Sequence, residues 1–256
     1  MKPGTILAVV STMAIRPRAR TGLAAIAVTL GAGATACVSV APPIRAGQYG
    51  APGRMAAGVI EAGANGAYGP ETYGGPTLGY GVTDQITIEA GGEIGSLPRG
   101  IGYLGLRYTP LHPEGRRRAF TLDLEGGAGA GVGGNRCDAD TECEPPRLDW
   151  RRPAGGGYLG LGVGGKIGWF WPWLRLRTQV SAANHVPVTS FTTAFLGVQF
   201  SVAEFAHLYL GTGGVHLVNQ HINTFGWQWF DAGLSFTLAT PRAHRIPHER
   251  RFGRGR

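Results

Sequence analysis

Apolar and polar residues alternate without interruption over residues 173–182, and two arginines, Arg175 and Arg177, fall on the polar side. A period of two residues is typical of a β-strand whose two faces meet different surroundings. The same alternation returns in other segments, where aspartate and glutamate take the polar side. Charged residues on one face of many strands, opposed by apolar residues, indicate a membrane barrel whose apolar face meets lipid and whose polar face lines the interior.

Turn-forming residues divide the chain after residue 53 into segments of about ten residues, which is the length that a tilted transmembrane strand requires. The predicted strands cover residues 54–67, 75–82, 85–95, 99–109, 118–132, 154–168, 172–183, 188–202, 206–217 and 226–239. Tight connections alternate with looser ones, the longest over 133–153, as in outer-membrane barrels. We therefore predict an all-β fold, a single antiparallel up-and-down transmembrane β-barrel over 54–239 with about ten strands. Eight or twelve strands stay possible because the first two segments have the weakest pattern.

The polar positions of these strands form a candidate lumen. In so narrow a barrel, unpaired charges would be costly, so we expect Arg175 and Arg177 to pair with acids across the interior. The predicted lumen network comprises Glu61, Glu89, Glu93, Arg107, Asp123, Glu125, Lys166, Arg175, Arg177 and Asp231. Such a network would fill the lumen and close it.

Composition agrees with a barrel and argues against one class of partner. The chain has 44 glycines in 256 residues and only 16% charged residues, which fits many short strands. Its net charge of +8 is concentrated at the two ends, since residues 1–36 and 241–256 are strongly basic. The remainder is nearly neutral, so we expect no nucleic-acid partner. Residues 240–256 are predicted to be a basic disordered tail.

The N-terminal residues have the pattern of an export signal. Arg16, Arg18 and Arg20 precede a short apolar stretch over 23–30, as in signal peptides, and we assign residues 1–36 to this segment. The following residues, 37–53, contain several prolines and glycines and are predicted to be a flexible tether.

Ala34-Thr35-Ala36-Cys37 resembles the lipobox of bacterial lipoproteins, although leucine is usual where Ala34 stands. The resemblance implies that Cys37 is lipidated and becomes the first residue of the mature protein. The alternative is cleavage by ordinary signal peptidase after Ala36, because small residues at positions 34 and 36 also satisfy that enzyme.

The remaining two cysteines, Cys137 and Cys143, are separated by five residues. In an oxidising compartment we expect a disulfide between them. A zinc site is the alternative, but no histidine is near. Asp138, Asp140, Glu142 and Glu144 of the same loop could bind Ca²⁺, but they lack the glycine and the length of an EF-hand loop, and solvated acids on a surface loop are more common, so we expect no metal. We also expect no cofactor, because the glycine-rich runs lack the Gly-Lys-Ser/Thr of a phosphate-binding loop.

The strand pattern, the turn over 81–85 and the last strand, Phe-Asp-Ala-Gly-Leu-Ser-Phe over 230–236, resemble the small outer-membrane β-barrel proteins of Gram-negative bacteria. The resemblance covers about residues 54–239 and implies location in the bacterial outer membrane. It also implies contact with outer-membrane lipids and with the barrel-assembly and lipoprotein-export machinery. One departure is that the chain continues for seventeen residues past Ala239, whereas such barrels usually end on an aromatic residue.

The histidines do not stand in a His-x-Ser arrangement of the lipid A deacylase kind, nor in the paired Asp-His motifs of outer-membrane proteases. We therefore expect no enzymatic activity, and the leading hypothesis is a structural or surface-interaction role with a plugged polar lumen. One alternative is a narrow channel or small-solute transporter. Another is a soluble periplasmic lipocalin-like lipoprotein, which would reverse the two strand faces. No residue identifies a ligand.

Overall fold

A computed structural model describes residues 39–47, 51, 53, 55–69, 72–96, 99–112, 120–133, 152–203 and 205–238. These residues form ten β-strands: β1 (Ile60–Tyr68), β2 (Tyr73–Gly81), β3 (Ile86–Gly95), β4 (Arg99–Leu111), β5 (Phe120–Gly133), β6 (Pro153–Gly165), β7 (Phe170–Ala183), β8 (Val186–Ala203), β9 (Ala206–Val218) and β10 (Asn223–Leu238). No helix among them has the length and apolar character needed to cross a membrane.

Each strand pairs antiparallel with its neighbours in the chain, and β1 pairs with β10 to close the sheet. Closure leaves no free strand edge, which is the condition for a sheet in lipid. The predicted fold class, an antiparallel up-and-down barrel of ten strands, is confirmed. Only the first strand starts much later than predicted, at Ile60. Gly58, which has a positive φ of 81°, makes a turn before it, and its amide donates to the carbonyl of Gly81 at 2.7 Å.

The barrel has two different ends. We call the end at which β5 finishes and β6 begins the loop end, and the turns over 184–185 and 219–222 lie there too. The connections over 82–85 and 166–169 lie at the opposite end, which we call the turn end. β1 begins and β10 finishes at the turn end.

The outer face of the barrel wall is apolar and the inner face is polar, as the sequence predicts. Along β7, Leu174 and Leu176 are exposed on the outside, whereas Arg175, Arg177 and Gln179 are each about 1% exposed on the inside. A leucine side chain left in water rather than buried costs about 1.5–3 kcal/mol, so an apolar outer wall requires an apolar medium. The soluble lipocalin-like alternative is wrong, because it needs the apolar face inside. The architecture is that of an outer-membrane β-barrel.

Aromatic side chains lie on the outer wall near both ends. Trp169 contacts Phe200 at the turn end, with ring centroids 5.3 Å apart. Phe225 and Trp227 form a second pair near the loop end, with centroids 6.5 Å apart. Two such belts are typical of barrels whose ends lie at the two membrane interfaces.

Candidate functional site

The lumen contains part of the chain that precedes β1. We call residues 39–57 the inserted segment, of which 39–47, 51, 53 and 55–57 are described. At the loop end, the side-chain amide of Asn219 donates to the carbonyl of Ser39 at 2.9 Å. At the turn end, the amide of Ala57 donates to Asp84 Oδ1 at 3.2 Å. The flexible tether predicted over 37–53 is therefore wrong for the described residues, which cross the barrel and bond to its wall.

Glutamine side chains of the wall accept hydrogen bonds from the backbone of the inserted segment. Gln179 Oε1 accepts from the amides of both Ile44 and Arg45 at 3.0 Å. Nearer the turn end, Gln199 Oε1 accepts from the amide of Ala51 at 2.8 Å. Because a buried amide without a partner is costly, an extended chain that is no part of the sheet needs such acceptors.

Glu93 of β3 holds the next two residues with both of its carboxylate oxygens. The amide of Ala46 donates to Oε2 at 2.9 Å, and the amide of Gly47 donates to Oε1 at 2.8 Å. Arg99 Nη2 lies 3.3 Å from the same Oε2 and balances the charge. A carboxylate that accepts two consecutive amides is a strong and geometrically specific anchor.

Arg45 of the inserted segment places a positive charge in the middle of the lumen, beside acids of the wall. Its side chain is 1% exposed, and its Nη1 lies 2.7 Å from Glu89 Oε2 and 3.5 Å from Glu125 Oε2. Nη1 also donates to the hydroxyl of Tyr158 at 3.3 Å. The guanidinium carbon lies 5.0 Å from the ring centroid of Tyr103 and 5.4 Å from that of Tyr158, within the range of cation–π attraction. Sequence reasoning missed this residue.

Arg177 of β7 bonds to both the wall and the inserted segment. Its Nε lies 2.6 Å from Glu125 Oε1. Its Nη1 donates to the carbonyls of Arg45 at 3.1 Å and Gly47 at 2.9 Å. The inserted segment thus forms ion pairs with acids of the wall through its own arginine, and its backbone carbonyls accept hydrogen bonds from an arginine of the wall.

Two further ion pairs lie around this centre, one between β7 and β5 on either side of β6 and one between the neighbouring strands β4 and β3. Arg175 Nη2 lies 3.3 Å from Asp123 Oδ2, and Arg107 Nη1 lies 3.2 Å from Glu89 Oε1. The structure therefore brings together Glu89, Glu93, Arg107, Asp123, Glu125, Arg175 and Arg177 from the predicted set. Arg175 and Arg177 each meet an acid, as expected from the sequence.

The other predicted lumen residues lie elsewhere. Asp231 is buried on β10, where the hydroxyl of Tyr73 donates to it at 3.2 Å. Glu61 is half-buried and lines a cavity at the turn end. The prediction that Lys166 belongs to the lumen network is wrong. β6 stops at Gly165, so Lys166 is exposed in the following turn and only lines the same cavity. Cys37, Cys137 and Cys143 lie outside the described residues.

Two of the cavities beside the inserted segment have volumes of more than 200 Å³. One of about 220 Å³ lies against β8–β10 and is lined mainly by apolar side chains, among them Phe191 and Phe195. The other, of about 320 Å³, opens at the turn end. Ser201 and His207 are register partners that line it, but among the described residues no hydrogen bond joins their side chains. This pair therefore gives no support for enzymatic activity.

No family model matches the sequence, and a comparison with curated proteins finds no match. Among solved structures, the N-terminal β-barrel domain of OprF from Pseudomonas aeruginosa is 11% identical, with a TM-score of 0.34 and coverage of 72% of this chain and 100% of that one. The KdgM porin is 5% identical, with a TM-score of 0.38 and coverage of 70% and 99%. The outer membrane protease OmpT from Escherichia coli is 10% identical, with a TM-score of 0.34 and coverage of 71% and 94%. These values carry no argument about activity, and the barrel fold rests on the strand pairing itself.

Proposed function

We propose that this chain is an outer-membrane barrel whose lumen is closed by its own inserted segment, and that its role is structural or surface-interacting. The observation that carries the proposal is that Arg45 binds the wall in two ways. Its guanidinium forms ion pairs with Glu89 and Glu125, and its backbone carbonyl accepts a hydrogen bond from Arg177. No catalytic step is part of the proposal.

The energetics of the buried charges support a closed resting state. Removing the segment would take Arg45 away from Glu89 and Glu125 and would take two amide donors away from Glu93. Breaking a buried ion pair by removing one partner costs about 3–5 kcal/mol. Water entering the lumen would offset only part of this cost, so the segment should stay bound under ordinary conditions.

The apolar outer wall and its two aromatic belts support location in the outer membrane, with lipids as neighbours and the barrel-assembly machinery as the route of insertion. We further propose that Cys37 is lipidated through the lipoprotein-export machinery, with cleavage after Ala36 and no lipid as the alternative. A disulfide between Cys137 and Cys143 is also proposed, on the oxidising compartment that this location implies.

A narrow channel or small-solute transporter is the second candidate, and the two cavities beside the inserted segment favour it. Conduction through the centre of the barrel would require the segment to leave Glu93 and Gln179. The two candidates therefore differ in whether the lumen conducts while the segment is bound.

Single-channel recording in planar bilayers tests the proposal. We expect negligible conductance from the purified wild type and a steady current from a variant that lacks residues 40–53, because deletion leaves the polar wall to water. Val188→Ala, which shortens an exposed side chain of the outer wall, serves as the control and should behave as the wild type.

A steady ion-selective current from the wild type would favour the channel and contradict the proposal. Absence of current from the deletion variant would also contradict it, provided that electrophoretic mobility before and after heating shows a folded barrel. In that case the wall alone would close the lumen.

A further inference from the structure

The direction in which the inserted segment runs determines at which end of the barrel the residues before β1 emerge. Ser39 is held at the loop end by Asn219, and the amide of Ala41 donates to Thr189 Oγ1 at 3.1 Å. β1 starts at the opposite end, where Ile60 pairs with Leu238. The chain therefore crosses the whole lumen before the first strand begins.

Chain length allows this crossing in one pass. Eighteen peptide units separate Ser39 from Ala57, and an extended chain of that length spans roughly 60 Å. A tilted strand as long as β7 covers roughly 35 Å along the barrel axis. Residues 41–47 contact the wall in its loop-end half, through Thr189, Gln179 and Glu93, and residues 51–57 contact it in its turn-end half, through Gln199, Thr109 and Asp84.

The lengths of the connections orient the barrel in the membrane. The longest, of nineteen residues, joins β5 to β6 at the loop end, whereas the connections at the turn end have two to four residues over 82–85, 166–169 and 204–205 and eight over 112–119. Outer-membrane barrels place short turns in the periplasm and long loops outside. The loop end should then face the cell exterior.

We propose that the inserted segment carries the N-terminus of the mature protein outward through the barrel, so that it is presented at the cell surface. This inference rests on the outer-membrane location proposed above. It assigns the N-terminus of the mature protein to the outer side, whereas an N-terminus that stayed in the periplasm after export would lie beside the start of β1.

The same geometry selects the membrane leaflet that a lipid on Cys37 would enter. Cys37 precedes Ser39 by two residues, so the chain allows roughly 7 Å between their Cα atoms. The turn end is several times further away along the barrel axis. Acyl chains on Cys37 would therefore insert into the outer leaflet beside the loop end, and their partner would be the lipid surface on the outer side of the membrane.

Epitope tags in three positions test the inference in the full-length protein. One tag is inserted between Val38 and Ser39, a second after His185 at the loop end, and a third after Asp84 at the turn end. Antibody binding is compared between intact and permeabilised cells. We expect the first two tags to bind equally before and after permeabilisation, and the Asp84 tag to bind only afterwards.

Protection of the first tag in intact cells, with the His185 tag accessible, would overturn the inference. Accessibility of the Asp84 tag with protection of the other two would reverse the barrel and overturn it as well. Heat-dependent electrophoretic mobility verifies that each tagged barrel is folded. If the first tag prevents folding, Ser39→Cys, in a chain whose native cysteines are all serine, takes its place with a membrane-impermeant maleimide as the probe.

Lipidation is measured separately, so that its failure can be told apart from a failure of the outward route. A palmitate analogue should label the wild type and not Cys37→Ser. The first tag should remain accessible in Cys37→Ser, because the wall contacts of residues 39–57 hold the segment without the lipid. Loss of surface exposure in that variant would mean that the lipid, and not the lumen, positions the N-terminus, and would overturn the inference.

Discussion

Arg45 shows how much of the lumen depends on one side chain. Its guanidinium lies between carboxylates of two strands, Glu89 on β3 and Glu125 on β5, and beside the rings of Tyr103 and Tyr158. A buried cation in this position offsets two buried acids that also meet wall arginines. Each charge in the centre therefore has a partner of opposite sign, as a narrow interior requires.

Arg45→Ala tests this balance. We expect the free energy of unfolding to fall by about 3–5 kcal/mol, because two buried carboxylates lose a partner. The free energy of unfolding of Arg45→Lys should lie between those of Arg45→Ala and the wild type, because lysine restores the charge but not the planar set of guanidinium donors. Urea titration in lipid vesicles measures both, with Val188→Ala as the control. Equal stability of Arg45→Ala and the wild type would mean that the segment is not anchored through this residue.

The strands are the elements that the sequence predicts best. On β7, period-two alternation correctly separates inward Arg175, Arg177 and Gln179 from outward Leu174 and Leu176. A strand face is fixed by residues two apart, so the sequence contains this information locally. The error at Lys166 has a local cause as well, because the turn with Gly168 at a φ of 63° ends the alternation early.

The inserted segment could not be predicted in the same way. Its contacts join residues that are far apart in the sequence, such as Ile44 and Gln179, which are 135 positions apart. Prolines and glycines around Arg45 give no alternation, and a solvated tether has the same composition. The alternation along β7 predicts that Gln179 points into the barrel. The residues around Gln179 do not indicate that its side chain accepts hydrogen bonds from the backbone of a distant part of the chain.

Arginine substitutions at two positions of the outer wall test the assigned depth of the strands in the membrane. Leu176→Arg, near the middle of β7, should destabilise the inserted barrel by about 2–4 kcal/mol, because a charge at the bilayer midplane is costly. Val188→Arg, close to the loop end of β8, should cost only about 0–1 kcal/mol, because the interface is polar. Unfolding in lipid vesicles gives both values, and similar costs at the two positions would contradict the assigned depth.

At the scale of the whole molecule, the closed wall and the chain inside it form one connected structure. The hydrogen bond between Asn219 and Ser39 joins positions 180 residues apart, and it forms only when β9 and β10 are near the N-terminal residues. Pairing of β1 with β10 also joins the two ends of the barrel sequence. Because a closed barrel has no lateral gap, the segment enters the lumen either before the last strand closes the wall or lengthwise through one end of the barrel.

Hydrogen exchange of the backbone amides in residues 39–47 tests most directly whether the inserted segment occupies the lumen. The amides of Ile44, Arg45, Ala46 and Gly47 donate to Gln179 and Glu93, so the account predicts slow exchange, comparable to that of the strand amides of β7. The measurement is made by mass spectrometry on the folded protein in detergent or lipid, with Arg45→Ala expected to exchange faster over the same residues. Exchange of the wild-type segment at the rate of an unstructured chain, while β7 stays protected, would contradict the account.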